Sequence, residues 1–242
     1  RAYGGYWACS MATRNKVDNV PVIVSIHDTN SSLLFNSIKG ADVVFCVSEA
    51  VKELVLKKYS NKDRVWILPN RVDFEVMRHY DASDTFDLDR KYPFRFKILH
   101  VGRKTRQKNL DSVIKAVKLL GQDYCLIAAG SGKADPGDYL KMAEALNIGN
   151  RCFFPGSIQA RELARYYSWC DCMCTPSRWE GFGMVFIEAM ACEAVVVTSD
   201  IAPMNEYIEH LYNGLLIKDY ENPEIIAETI RLACENDEIR FL

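Results

Sequence analysis

The chain has 242 residues, 49% of them hydrophobic and 26% charged, enough apolar material to bury one large core or two smaller ones. Its 30 Lys and Arg against 32 Asp and Glu leave a formal charge of -2, which excludes a global basic field for nucleic acid or an anionic membrane; any grip on an anion must be local. No apolar run approaches the length of a membrane span.

In chain order, "YGGYW" at 3–7 reads as the connection before a first strand, "VPVIVSIHD". The alternation of short apolar runs and helical periods continues through "SSLLFNSIK", "ADVVFCVS", "EAVKELVLKKY" and "RVWILPN", three strands in all. Residues 1–75 therefore read as an abbreviated α/β domain, and the polar, aspartate-rich "HYDASDTFDLDRKYPF" within 76–95 as a linker. From 96 the pattern strengthens. "FKILHVG" is a buried strand, and the helix after it carries Leu110, Val113, Ile114, Val117 and Leu120 on one face with Gly121 as its stop. Strands follow at "YCLIAAG", "RCFF", "CDCMCT", "AVVVTS" and "GLLIK", and helices at 137–147, "ARELARYYSW", "GMVFIEAMAC", "APMNEYIE" (short) and "PEIIAETIRLAC". Six strands, each followed by a helix, predict a parallel sheet with helices on both faces over 96–242.

Nine cysteines, an odd number with no CxxC pair, favour reduced thiols and a cytoplasmic setting. Cys170, Cys172 and Cys174 alternate along one strand and read as small core residues rather than metal ligands. No metal cluster is expected.

Ligands of open α/β sheets bind beyond the carboxyl ends of the strands, so the loops there carry the candidates. After Gly102 come Arg103, Lys104, Arg106 and Lys108, ahead of a helix N-terminus. A glycine exit, unpaired N–H groups and several cations suit a phosphate, although lysine and arginine are equally ordinary on a solvated loop. The spacing is neither that of a Walker loop nor GxGxxG. In "WEGFGMVFIE", Glu180 stands just before a Gly181-Phe182-Gly183 turn and Glu188 about one helical turn beyond it. Two carboxylates and exposed backbone N–H groups can then border one cleft, as a sugar or ribose requires; carboxylates are also common dipole partners at helix starts.

"EGFGMVFIE" resembles the signature of the family four retaining glycosyltransferases, and the matching text runs in order through "HVGRKTRQKNLDSVIKAVKLL", "AAGSGK", "FFPGSI", "TPSRWEGFG" and "YNGLLIKD". The resemblance implies the GT-B fold, two Rossmann-like domains with parallel sheets facing a cleft, here with the N-terminal, acceptor-side domain abbreviated and the nucleotide-sugar domain at 96–242. It implies that Arg103 and Lys108 hold the donor diphosphate beside Gly102, that Glu188 binds ribose hydroxyls and that Glu180 contacts the transferred sugar. Gly181, Phe182 and Gly183, with Met184 and Val185 entering the helix, line the sugar and phosphates; Pro155, Gly156, Ser157 and Ile158 lie where the nucleobase is held; His27 reaches towards the sugar. The implied activity is retaining transfer of a hexose from a nucleotide sugar, GDP-mannose before a UDP-hexose, to a sugar or glycan acceptor, with no metal or other cofactor. A non-catalytic nucleotide-sugar-binding module derived from such an enzyme is the alternative. Expected partners are the donor and the acceptor, not nucleic acid; a second copy of the chain and a membrane surface are left open.

Overall fold

The computed structural model describes residues 2, 3, 6–29, 38–59, 61–132 and 136–239. The chain divides into two compact units, one comprising Arg1–Arg71, Trp179–Gly183 and Ala202–Glu206, the other Val72–Arg178, Met184–Ile201 and Tyr207–Leu242.

The first unit is built on a four-stranded parallel sheet in the order β1 (Ala2–Tyr3), β2 (Ile23–Ile26), β3 (Val43–Cys46), β4 (Val65–Ile67). Its register pairs Val24 with Val44 and Cys46 with Ile67. Helix α1 (Tyr6–Arg14) connects β1 to β2. The segment at 3–7 is thus not a plain connection: it holds the end of a strand and the start of a helix, and Gly4 and Gly5 lie outside the described residues. The expectation for "SSLLFNSIK" also falls mostly outside them. Helix α2 (Glu49–Leu56) begins at Ser48, whose extended backbone lets its hydroxyl accept from Val51 N at 3.2 Å. Val51 and Val55, one turn apart, are fully buried against Val24, Val44 and Cys46.

The second unit carries six parallel strands in the order β10 (Leu215–Ile217), β9 (Val196–Ser199), β8 (Cys172–Cys174), β5 (Phe96–Val101), β6 (Tyr124–Ala129), β7 (Cys152–Gly156). These are the six strands that the apolar runs predict, and most positions along them are buried, as a sheet covered on both faces requires. The helices of the unit are α3 (Ala82–Lys91), α4 (Leu110–Leu119), α5 (Pro136–Ala145), α6 (Ala160–Trp169), α7 (Met184–Ala191) and α8 (Pro223–Glu235). Helix α4 buries Leu110, Val113, Ile114 and Val117, which share one core with Ile226 and Ile230 of α8. Burial of one such side chain contributes about 1.5–3 kcal/mol.

Two expectations are corrected. Residues read as linker contain α3, a ten-residue helix. Its composition is too polar to announce itself, and it is held by partners distant in sequence: the Arg165 guanidinium donates to Asp84 O and pairs with Asp87 and Glu162. The Trp169 indole donates to Asp89 at 2.9 Å, and Leu88 is the buried anchor. The helix expected at "APMNEYIE" is only a short 3-10 turn, Met204–Glu206. Both Glu206 carboxylate oxygens accept from the first turn of α2, from Glu49 N and Ala50 N at 2.8 Å each.

All nine cysteines are buried and none forms a disulfide, Cys172 and Cys174 on β8 among them. Burial pushes the thiols of Cys46, Cys125, Cys152 and Cys192 up to about 12. Among the described residues no helix is long and apolar enough to cross a membrane.

Leu88→Ala removes the apolar anchor of α3 and should lower stability by about 2–4 kcal/mol. A urea unfolding midpoint indistinguishable from wild type would show that α3 is not part of the cooperative fold.

Candidate functional site

The second unit's sheet changes direction at β5. Strands β6 and β7 continue on one side of it, and the chain then returns to place β8, β9 and β10 on the other. A crevice opens at such a switch point beyond the carboxyl ends of the two diverging strands, here Val101 and Cys174. The two ends are joined: Thr175 Oγ1 accepts from Val101 N at 3.2 Å.

The loop after β5, residues 102–109, makes a 3-10 turn at Arg106–Lys108 and enters α4 through Asn109 in left-handed conformation, φ 54°. Asparagine tolerates that conformation better than most residues. The Asn109 carboxamide, fully buried, donates to Pro176 O at 3.0 Å and to Tyr220 O at 2.7 Å, so one side chain ties together the loops after β5, β8 and β10. Arg178 repeats the tie from the β8 side. Its guanidinium donates to both Asp111 oxygens at 3.2 Å, to Glu221 at 2.6 Å and to Arg106 O at 2.7 Å. Burial works to raise the Asp111 carboxyl, but the Arg178 guanidinium outweighs it and holds the group below the usual carboxylate range.

Within this frame the predicted cations differ sharply. Arg103 is exposed and donates to Gln107 at 3.3 Å. Lys108 is buried, its aliphatic stem laid against Gly102, where a Cβ would meet Lys108 Cγ and Cδ at 2.9 Å. The glycine exit therefore serves the lysine stem as well as any ligand. Gly130, at the end of β6, approaches Gly102 so closely that a Cβ would stand 2.1 Å from Gly102 O. The loops after β6 and β7 are joined by Gly130 N donating to Gly156 O at 2.7 Å and Ser157 donating to Ser131 at 2.9 Å. Pro155 and Ser157 are exposed there, while Gly156 and Ile158 are half-buried.

Glu188 lies in the second turn of α7, and Met184 and Val185 are half-buried in the first. Burial raises the Glu188 carboxyl above its usual range, against the Tyr167 hydroxyl, which donates to it at 3.4 Å, and the positive charge of Lys108. His100, fully buried on β5, is held neutral: burial and the charge of Lys104 depress it to about 3. Its Nε2 lies 2.9 Å from Lys108 O, a carbonyl that can only accept. The proton therefore sits on Nε2 and the Lys108 backbone is fixed by it.

Glu180, Gly181, Phe182 and Gly183 belong to the first unit, with His27. Gly181 is pressed against the end of β2, where a Cβ would fall 2.0 Å from His27 O, and its own carbonyl accepts from Ser48 Oγ at 2.9 Å. This brings Glu180, itself buried, into the neighbourhood of His27, whose Nε2 lies 3.0 Å from Ser25 Oγ. Phe182 packs on the core of β2, β3 and α2, and Gly183, φ 85°, turns the chain into α7. The sequence-predicted residues thus fall into two sets, one per unit. Among the described residues no group of three or more His, Cys, Asp or Glu could hold a metal ion. Sequence reasoning gave no role to Asn109, Arg178, His100 or the burial of Lys104; an asparagine just before a helical run was the one signal in reach.

The family model described as Glycosyl transferases group 1 matches residues 89–240. The chain belongs to that family. The chain is 30% identical, over 239 residues, to an uncharacterized glycosyltransferase of Methanocaldococcus jannaschii, covering 94% of the chain and 62% of the relative. It is 31% identical over 194 residues to the O-antigen chain mannosyltransferase RfbU of Salmonella typhimurium, covering 79% and 50%. It thus spans between half and two thirds of the length of these curated relatives. Among solved structures, HepE of Anabaena in complex with UDP and glucose matches with a TM-score of 0.85 at 21% identity, over 98% of this chain and 67% of that one. The match shows that the chain has the GT-B type of α/β fold with parallel sheets.

Gly181→Ala forces a methyl group into His27 O and should lower the melting temperature by several degrees, whereas Gly121→Ala, with nothing within 4 Å of its Cβ, should not. Equal melting temperatures for the two variants would remove the close approach as a constraint. The pH dependence of stability is a second check. The folded pKa of His100 lies below its unfolded value, so its contribution is complete above about pH 6.5 and is lost as pH falls towards about 3. Unfolding free energy should fall by up to about 1.4 kcal/mol per pH unit through this window from His100 alone, and His100→Gln should flatten the profile. An unchanged slope in the variant would contradict a buried neutral imidazole.

Proposed function

We propose that the chain moves a hexose from a nucleotide sugar to a sugar or glycan acceptor with retention of anomeric configuration and without a metal ion. The observation that carries this reading is the loop after β5 at the switch point of the second unit. A glycine exit there stands beside a buried lysine stem and a neighbouring acidic residue, Glu188, on α7. Diphosphate charge is met by Lys108 and Arg103, and ribose hydroxyls by Glu188. The sugar is met in this unit by the first turn of α7 at Met184 and Val185. The base lies against residues 155–158.

In the reaction the bond between the sugar C1 and the phosphate oxygen breaks and a bond from C1 to the acceptor hydroxyl oxygen forms on the same face. The acceptor proton passes to the leaving phosphate. Charge that accumulates on the departing nucleoside diphosphate is stabilised by the fixed cations, which is the task a metal performs elsewhere. GDP-mannose is favoured as donor because RfbU, a relative at 31% identity, is named a mannosyltransferase. A UDP-hexose is the second choice, since HepE has been seen with UDP and glucose.

Titration calorimetry with GDP-mannose, UDP-glucose, UDP-N-acetylglucosamine and ADP-glucose, with and without magnesium, tests the reading. One donor should bind equally in both conditions, and Glu188→Ala should weaken it by about 1.5–3 kcal/mol, roughly ten- to hundredfold. Proton NMR of the product formed with an accepted sugar should show the donor's anomeric configuration. Absence of binding by all four would remove the donor site, and binding without transfer would favour the non-catalytic module.

A further inference from the structure

Lysine is almost never fully buried without a partner of opposite charge. Lys104 is 1% exposed, and among the described residues no carboxylate pairs with it. Its ammonium donates to Ala129 O at 3.2 Å, a carbonyl that already accepts from Gly102 N at 3.1 Å. Lys104 N donates to Ser131 O at 3.1 Å, and Gly132 closes over the backbone so tightly that a Cβ would fall 2.6 Å from Lys104 N. The side chain is therefore walled in at the carboxyl ends of β5 and β6, under the two loops that carry Arg103, Lys108 and Ser131.

An uncompensated ammonium in such a place costs stability in the empty protein, and a negative charge that arrives later would offset that cost. The ionisable groups around it supply none. From β5 it faces His100, which is neutral, and its own loop offers Lys108 and Arg103, both cations. From β6 and the loop after it come the Ala129 carbonyl, Ser131 and Gly132, none ionisable, while Lys133 lies outside the described residues.

We propose that Lys104 is a third cation of the donor site, a buried charge beneath the loops that takes up a proton from solvent when a diphosphate ester docks and releases it when the nucleotide leaves. The inference rests on the donor reading above and extends it. Lys104 is a positioning charge rather than a ligand contact, because its side chain is buried and its ammonium is bonded to Ala129 O. Burial alone brings its pKa down to about 8, so in the empty protein the group is poised to change charge just above neutrality. A bound diphosphate favours the charged form and moves the pKa up. Binding is then strongest below the free-state value and is lost as pH rises through the bound-state value.

The test is calorimetry of the wild-type chain with GDP-mannose and with UDP-glucose at pH 8.5, in two buffers of different ionisation enthalpy. Both phosphates of a nucleotide sugar are esterified and do not titrate there, and the guanine or uracil N–H, which ionises at higher pH, contributes alike to wild type and variants, so the difference in buffer dependence between them counts protons moved by Lys104. If the diphosphate raises Lys104 by roughly one pH unit, binding takes up about half a proton at pH 8.5, and affinity falls several-fold between pH 7 and pH 9.5. Lys104→Met should bind with no uptake, a flat profile and several-fold weaker affinity at pH 7. Lys104→Arg, whose charge does not titrate, should also show no uptake, which supplies the control should the Met variant fail to fold. Binding without proton uptake by the wild type, or uptake that persists in either variant, overturns the role of Lys104 and leaves the donor reading standing. Failure of both donors to bind the wild type overturns the two together.

Discussion

The carboxamide of Asn109 is the interaction on which the rest of the candidate site depends. Its backbone occupies the left-handed region that lets the loop after β5 stop and α4 begin, and its side chain holds the main chains of two further loops. The strand ladder ends at the carboxyl edge of a parallel sheet, and the loops beyond it are held by isolated backbone bonds, such as Lys104 N to Ser131 O, and by side chains. Asn109 and Arg178 supply the side-chain ties from inside and outside the same corner. Because the loops are fixed before any ligand arrives, the cations they carry need little reorganisation to meet one, and preorganisation is what makes fixed charge effective.

That frame explains how the second unit tolerates so much positive charge near one strand end. Lys104 and Lys108 are both buried there, and the histidine between them in space is kept neutral. A charged imidazole in the same place would add a third like charge, which Lys104 already opposes. Glu188, half-buried, supplies an acid nearby, and the cationic field of Lys108 restrains the rise that burial imposes on it. The first unit shows the complementary arrangement, with carboxylates rather than cations closing its helix start, as Glu206 does for α2.

Much of this was legible in the sequence. The six strands of the second unit follow from apolar runs too short and too continuous for helices, and α4 from a clean 3.6-residue period that reappears as its buried face. The Gly-rich turn with its two acids lies where the chain passes from the first unit into α7. Helix α3 was hidden because its stability comes from Arg165 and Trp169, some eighty positions away, and not from its own aspartate-rich residues. The burial of Lys104 was hidden for the opposite reason: lysine in a loop ordinarily means solvent, and here the ammonium turns inward to Ala129 O instead. Nor does spacing along the chain reveal that residues 179–183 pack with β2 and α2, since that depends on a backbone approach only a glycine permits.

The buried thiols have a consequence of another kind. Cys9 and Cys46 lie in the first unit and the remaining seven in the second, all out of reach of solvent. A protonated, enclosed thiol reacts with neither alkylating reagents nor mild oxidants. The folded chain therefore resists modification as a whole, and each unit carries its own internal clock of opening: the order in which thiols become reactive records which half of the molecule breathes first.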